Sequence, residues 1–298
     1  MFRNKIILII LIGLFVLPMQ KLFAQDSTKT KKGKWEWGWD IKEFGEWIHW
    51  GKKMPTISLN YGFTDIEHKK ITDPFAAANL IELKLGHTTR KTNRYAENIL
   101  KYDFRYLYIG KISSGLTGGS IGQNQLGTNT WRFGIARSSG YGYKAGNAAV
   151  ILYYTYSFDW SRVDFNNPVT DPQVQNTINR FDDSFRFGSS SEGGIRIVAT
   201  SLITLDAGYE RSIIFERHLF WKWAGSALIE AVSQGLLDSF IQEIFKSSPA
   251  AGPVVNFLLK NALSYGLYEL RQEKMNWPFA SAPPLSFDSF KFGATFTF

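Results

Sequence analysis

Side chains able to do chemistry are present in this chain, but few stand at the spacing a reaction needs. The four histidines, His49, His68, His87 and His218, are scattered through 298 residues, and none has the ligand spacing of a zinc site. Gly115, Gly118, Gly119 and Gly122 resemble a phosphate loop only in composition: no Gly-Lys-Ser/Thr follows, so they read as a loop. Asp164, Asn166, Asn167, Asp171, Asp182 and Asp183 offer oxygen ligands for calcium. They lack a regular loop spacing, and a hydrated loop accounts for them. A serine hydrolase needs Ser, His and an acid at one rim. His218 with Glu210 or Glu216 supplies the pair, as nearly any chain of this length would. The absence of cysteine removes a thiolate zinc site, a cysteine nucleophile and a lipoprotein anchor. No catalytic, metal-binding or cofactor-binding residue is assigned, and the reading leans away from an enzyme.

The charged residues are more informative, because they fall on one parity of stretches with period two. Eight such stretches run near 54–63, 79–88, 98–112, 129–143, 149–163, 184–199, 202–215 and 285–298. One face collects Ile57, Leu59, Tyr61 and Phe63, then Ile81, Leu83 and Leu85, then Tyr102, Phe104, Tyr106 and Tyr108, with similar sets later. The other face collects Lys84, Lys101, Arg105, Arg132, Arg186, Arg196 and Lys291 against Glu82, Asp103, Asp159, Glu192, Asp206 and Glu210. Strands apolar on one face and polar on the other, in a chain of slightly negative mean hydropathy with 16% aromatics, predict an antiparallel transmembrane β-barrel. Eight strands leave an interior filled by its own side chains. Ten or twelve would follow if the long segments hide further strands. Near-neutral balance on the inner face favours ion pairs closing the lumen, where a selective pore would show a ring of one sign.

The chain ends fit this class. Arg3 and Lys5 precede the apolar run Ile6 to Leu17, and Leu22-Phe23-Ala24 precedes a cut before Gln25. That is the pattern of a signal peptide over 1–24. The last stretch alternates Phe290, Phe292, Phe296 and Phe298 with polar or small residues. It resembles the terminal signal by which Gram-negative outer-membrane barrels reach their assembly machinery. That resemblance implies an outer-membrane location and lipid around the barrel. The modest positive charge, about +5 once the leader is removed, asks for no nucleic-acid partner.

Two segments are not barrel. Within 25–53, Trp35, Trp37, Trp39, Trp47 and Trp50 make up half of the ten tryptophans. With Ile41, Phe44 and Ile48 on one face they predict a short periplasmic helix anchored at the membrane interface, or an aromatic plug beneath the barrel. A helix followed by a barrel resembles the lipid A palmitoyltransferase family in architecture; no motif matches, and no catalytic residue is carried over. The second segment, at about 222–275, shows apolar residues at helical spacing on both sides of Ser247-Ser248-Pro249 and Gly252-Pro253. It predicts a helical hairpin inserted before the last strand. Eight-strand parity puts that connection outside the cell, where it would cap the mouth, rest on the outer leaflet or bind a surface ligand or protein; in a larger barrel it could fold inward as a plug. Three functions remain open: a closed structural or surface-binding barrel, a small-solute or lipid-related channel gated by the hairpin, and an outer-leaflet lipid-modifying enzyme.

Overall fold

The computed structural model describes residues 53–116, 121–122, 125–166 and 171–298. The signal peptide and the Trp-rich segment predicted before them lie outside the described residues. Eight strands follow one another: β1 (Met54–Glu67), β2 (Ala78–Thr92), β3 (Ile99–Ser113), β4 (Gly127–Ala145), β5 (Ala148–Asn166), β6 (Phe185–Val198), β7 (Ile203–Ile214) and β8 (Leu285–Thr297). Each pairs antiparallel with the next, and β1 pairs with β8, so the sheet closes into a barrel with no free edge. The predicted stretches all become strands, and β1, β2, β4 and β5 extend further. At 12 to 19 residues they exceed the roughly 9–11 that cross a bilayer.

Register fixes the geometry. Register partners followed from Pro55 run through His87, Arg105, Arg137, Tyr156, Ser191, Arg211 and Asp288. They return to β1 at Asp65, ten residues beyond the start. Closing with that stagger tilts the strands by about 35–45°. The pairing row therefore climbs about 3 Å per strand, because neighbours lie about 4.8 Å apart.

Connections alternate in length, short at one end of the barrel and long at the other. Short turns at 93–98, 146–147 and 199–202 share the end of the barrel that holds the N-terminus of β1; this is the turn end. Gly146 takes the left-handed conformation at φ 61° that the two-residue Gly146-Asn147 hairpin demands. The opposite, loop end carries the long connections. One of them holds α1 (Pro172–Ile178), whose first turn is capped by Asp171 accepting from the Gln173 amide at 2.8 Å. From this end Phe181 folds into the mouth among Leu80, Ile112, Val163, Leu285 and Phe287. His68 meets its ring edge-on at 5.5 Å, and burial lowers the imidazole pKa.

Between β7 and β8 stand α2 (Phe220–Ser247) and α3 (Gly252–Glu273), joined by a short turn. The predicted hairpin is present. At 1.5 Å per residue the two helices reach about 42 and 33 Å.

Candidate functional site

Ten of the thirteen charged residues predicted for the lumen face it: Glu82, Asp159, Glu192, Asp206 and Glu210 with Lys84, Arg132, Arg186, Arg196 and Lys291. Five acids and five bases preserve the predicted balance. At mid-height Arg132 donates from Nη2 to Glu82 at 2.6 Å and from Nη1 to Glu210. Lys291 donates to Glu210, and lies 2.5 Å from Glu192 and 3.2 Å from Glu82. Lys84 lies 3.2 Å from Glu82 and 3.9 Å from Glu192. These six side chains are nearly solvent-free. Each carboxylate touches two or more cations, which is what makes such burial tolerable. Nearer the turn end, Arg196 donates to Asp206 at 2.5 Å and to Ser138 at 2.9 Å. Glycine makes room: a β-carbon on Gly110 would come within 3.2 Å of the Arg132 Nε.

Lys101, Asp103 and Arg105 correct the expectation, since they point outward. The inward face of β3 is instead Tyr102, Phe104, Tyr106 and Tyr108, all buried. The cause is visible in the lumen. Arg196 sits 4.9 Å from the Tyr102 ring and 4.1 Å from that of Tyr153. Lys84 lies 5.2 Å from Tyr106, and Arg132 5.5 Å from Tyr108. A desolvated cation over an aromatic face gains about 2 kcal/mol, so these rings serve the buried cations better than they would serve lipid. Leu107 and Ile109 take the outer positions of β3, at 64% and 50% exposure.

The lumen is thus filled in three layers. Phe181 and its apolar neighbours close the loop end, the six-charge network closes the middle, and the β3 aromatics pack toward the turn end.

The outer wall is the reverse of a soluble protein. Leu59, Phe63, Leu83, Ile135, Phe158 and Phe292 stand exposed around it. Near the loop end Phe133 and Trp160 stack at 5.8 Å, and Lys111 lies 4.6 Å from the Trp131 ring, a grouping suited to a membrane interface. A closed barrel with buried charges inside and bare hydrocarbon outside has one solvent that suits it. The chain is a transmembrane barrel of the outer-membrane type. No family model matches it, and no curated protein sequence does. Among solved structures, Neisserial surface protein A aligns at 10% identity over 82% of this chain and 97% of its own, with a TM-score of 0.37. Ail, the attachment invasion locus protein of Yersinia pestis, aligns at 6% over 83% and 100%, with a TM-score of 0.33. At such scores the barrel assignment rests on this chain's own register and faces.

One sector of the wall is not hydrocarbon. Along β4 to β7 the outward positions include Arg137, Ser139, Tyr154, Tyr156, Ser189, Ser191, Gly193 and Arg211, which lipid would not solvate. The hairpin lies over this sector. Tyr156 Oη bonds Ser264 Oγ at 2.5 Å and accepts from Gln234. Tyr268 donates to Asp288 at 2.6 Å, and Arg211 lies 4.5 Å from the Tyr265 ring. The helices also pair their own charges, Lys260 with Asp238 at 2.5 Å and Arg271 with Glu230 at 2.8 Å. Leu228, Val232, Leu236 and Phe240 face away from the barrel. The bend reaches the turn end, where Tyr143 donates to the Ala250 carbonyl at 2.5 Å. The expected cap over the mouth is therefore corrected: the connection leaves from the loop end as parity requires, but runs down the outside of the wall.

Gly193 permits this contact, since a β-carbon there would lie 2.1 Å from Asn261 Oδ1. Gly193→Leu should weaken docking by about 1–3 kcal/mol, raising tryptic cleavage after Lys260 about tenfold or more in the folded barrel. Mass spectrometry of the fragments checks this; unchanged cleavage would mean that the helices do not depend on that approach.

The remaining candidates do not converge. His218 packs 4.9 Å from the Phe187 ring and 5.4 Å from Trp223, whereas Glu210 lies in the lumen and Glu216 pairs with Arg180 at 3.0 Å. Asp164 and Asp183 both engage Arg162. Among the described residues no three His, Asp or Glu side chains are grouped to hold a metal ion.

Proposed function

We propose that this chain is a non-conducting outer-membrane protein of a Gram-negative bacterium. Its barrel is a rigid support, and its work is structural or surface-binding, done on the outer wall and at the loop end. The observation that carries this reading is the six-charge network of Glu82, Glu192 and Glu210 with Lys84, Arg132 and Lys291. A solute entering the lumen would have to break several buried ion pairs, each costly to separate. The alternative of a channel gated by the hairpin has less support, because α2 and α3 contact the wall and not the mouth. The leader-like start of the chain and the strand ending in Phe298 fit export, delivery to the barrel-assembly machinery and insertion among outer-membrane lipid. With that topology the turn end is periplasmic and the loop end external.

Planar bilayer recording of the purified full chain tests this. The expected result is no single-channel steps across neutral pH. Reproducible steps of fixed amplitude would overturn the closed-barrel reading in favour of the channel.

A further inference from the structure

The loop end is shut by an aromatic ring, and the side chain packed edge-on against that ring is titratable. Phe181 is fully buried among Leu80, Ile112, Val163, Leu285 and Phe287. Its amide donates to the Ile178 carbonyl at 2.8 Å, and that of Asp183 donates to the Val163 carbonyl at 3.0 Å. His68, at the start of the connection from β1 to β2, lies 5.5 Å from the Phe181 ring and is itself only 4% exposed. The same connection sends Ile71 into an apolar cluster with Leu126, Val174 and Ile178. His68 and Ile71 thus tie the β1–β2 connection to α1 and to the ring that follows it.

The hydrogen bonding of His68 requires its neutral form. Nδ1 accepts from the Lys70 amide at 3.2 Å, so the ring proton sits on Nε2. Nε2 is turned to the Pro283 carbonyl without a well-formed hydrogen bond. A second proton has to go on Nδ1, where it would meet the Lys70 N–H. Lys70 in the same connection and Arg180 just after α1 both oppose a positive ring, whereas Glu216 from the β7–α2 connection favours one. That carboxylate is already engaged: Arg180 donates to it at 3.0 Å, and Arg217 lies 3.7 Å away. The α3–β8 connection offers the Pro283 carbonyl. Burial outweighs the favourable contacts and holds the imidazole pKa below its ordinary 6.5.

We propose that His68 is an acid-operated latch on the loop-end plug. The neutral ring keeps Phe181 seated, and protonation releases the β1–β2 connection together with α1, opening a vestibule in the mouth. The released state takes up the proton more readily than the closed one. Above about pH 6.5 the closed state is therefore unaffected. Below that, the released fraction grows up to about tenfold per pH unit, until the pH reaches the pKa of the closed state. The six-charge network lies deeper and takes no part in the latch.

Hydrogen exchange of the full chain in phosphatidylcholine nanodiscs tests this, read by mass spectrometry at about pH 7.5 and about pH 5. Exchange times are scaled for the intrinsic pH dependence of amide exchange. Protection across 172–184 should fall about tenfold or more at the lower pH, while β8 keeps its protection. His68→Asn retains an acceptor for the Lys70 amide but cannot titrate, so its protection should be the same at both pH values. An unchanged wild type, a loss shared by β8, or a drop that persists in His68→Asn would overturn the latch. Should His68→Asn already be open at the higher pH, Arg180→Gln decides. It frees Glu216 to balance a charged ring and should shrink the drop; an undiminished drop there would overturn the latch as well.

Discussion

Arg132→Met should cost the barrel about 3–5 kcal/mol, because it leaves a buried network with one more carboxylate than it has cations in a dry lumen. Arg132 bonds both Glu82 and Glu210. Methionine keeps much of its volume against Tyr108 but takes away the charge. Lys291 and Lys84 would then face three acids with two cations, and the surplus negative charge has no water to turn to. Glu210→Gln on the same background restores two against two, and should recover more than half of the loss. Urea unfolding followed by the gel-mobility difference between folded and heat-unfolded barrel measures both. If Arg132→Met unfolded at the wild-type urea concentration, the network would be hydrated and the sealed lumen disproved. If the Glu210→Gln addition made matters worse, each carboxylate would be held by its own hydrogen bonds, with the charge count irrelevant.

What could be read in advance follows from which physical constraint acts on each strand. β8 alternates cleanly because Phe290, Phe292 and Phe296 face hydrocarbon while Ser289, Lys291 and Thr295 face the lumen. One solvent per face makes period two sufficient. β3 is different, since both parities carry large apolar side chains: Tyr102, Phe104 and Tyr106 on one, Leu107 and Ile109 on the other. Hydrophobicity cannot orient such a strand. The cation–ring contacts that do orient it come from β2, β4 and β6 and are invisible to a window on β3. The placement of the hairpin had a signal in the sequence that alternation alone passes over. On β6 the parity that carries Ile195 and Ile197 also carries Ser189, Ser191 and Gly193. On β4 the lipid parity runs from Ile135 into Arg137 and Ser139. A wall that stops being apolar partway along must be covered by protein, and the uncommitted helices α2 and α3 are the chain's means of covering it. By the same parity Arg137 and Arg211, absent from the lumen set, belong to the outer wall.

Single cysteines in this cysteine-free chain should give opposite labelling at the two ends of the hairpin. Ser248 is exposed at the bend, beside Ala250, which Tyr143 of β4 contacts at the turn end. Ala280 is exposed in the connection from α3 to β8, at the loop end. A membrane-impermeant maleimide applied to intact cells should label Ala280→Cys, and should label Ser248→Cys only after the outer membrane is permeabilised. Helices of about 42 and 33 Å exceed the roughly 25 Å apolar band of such barrels, so the two ends belong on opposite sides. A hairpin resting over the mouth would expose both cysteines from outside. A hairpin docked in the periplasm would protect both and reverse the barrel. Only the wall-docked arrangement separates them, and it carries a further consequence. Because Lys260 and Asp238 pair with each other and polar groups of the hairpin pair with Tyr156 and Asp288, the helices need the barrel to enter the membrane at all. Gly193→Leu should therefore shift Ser248→Cys toward labelling in intact cells, joining the glycine on the wall to the position of a bend far from it in sequence.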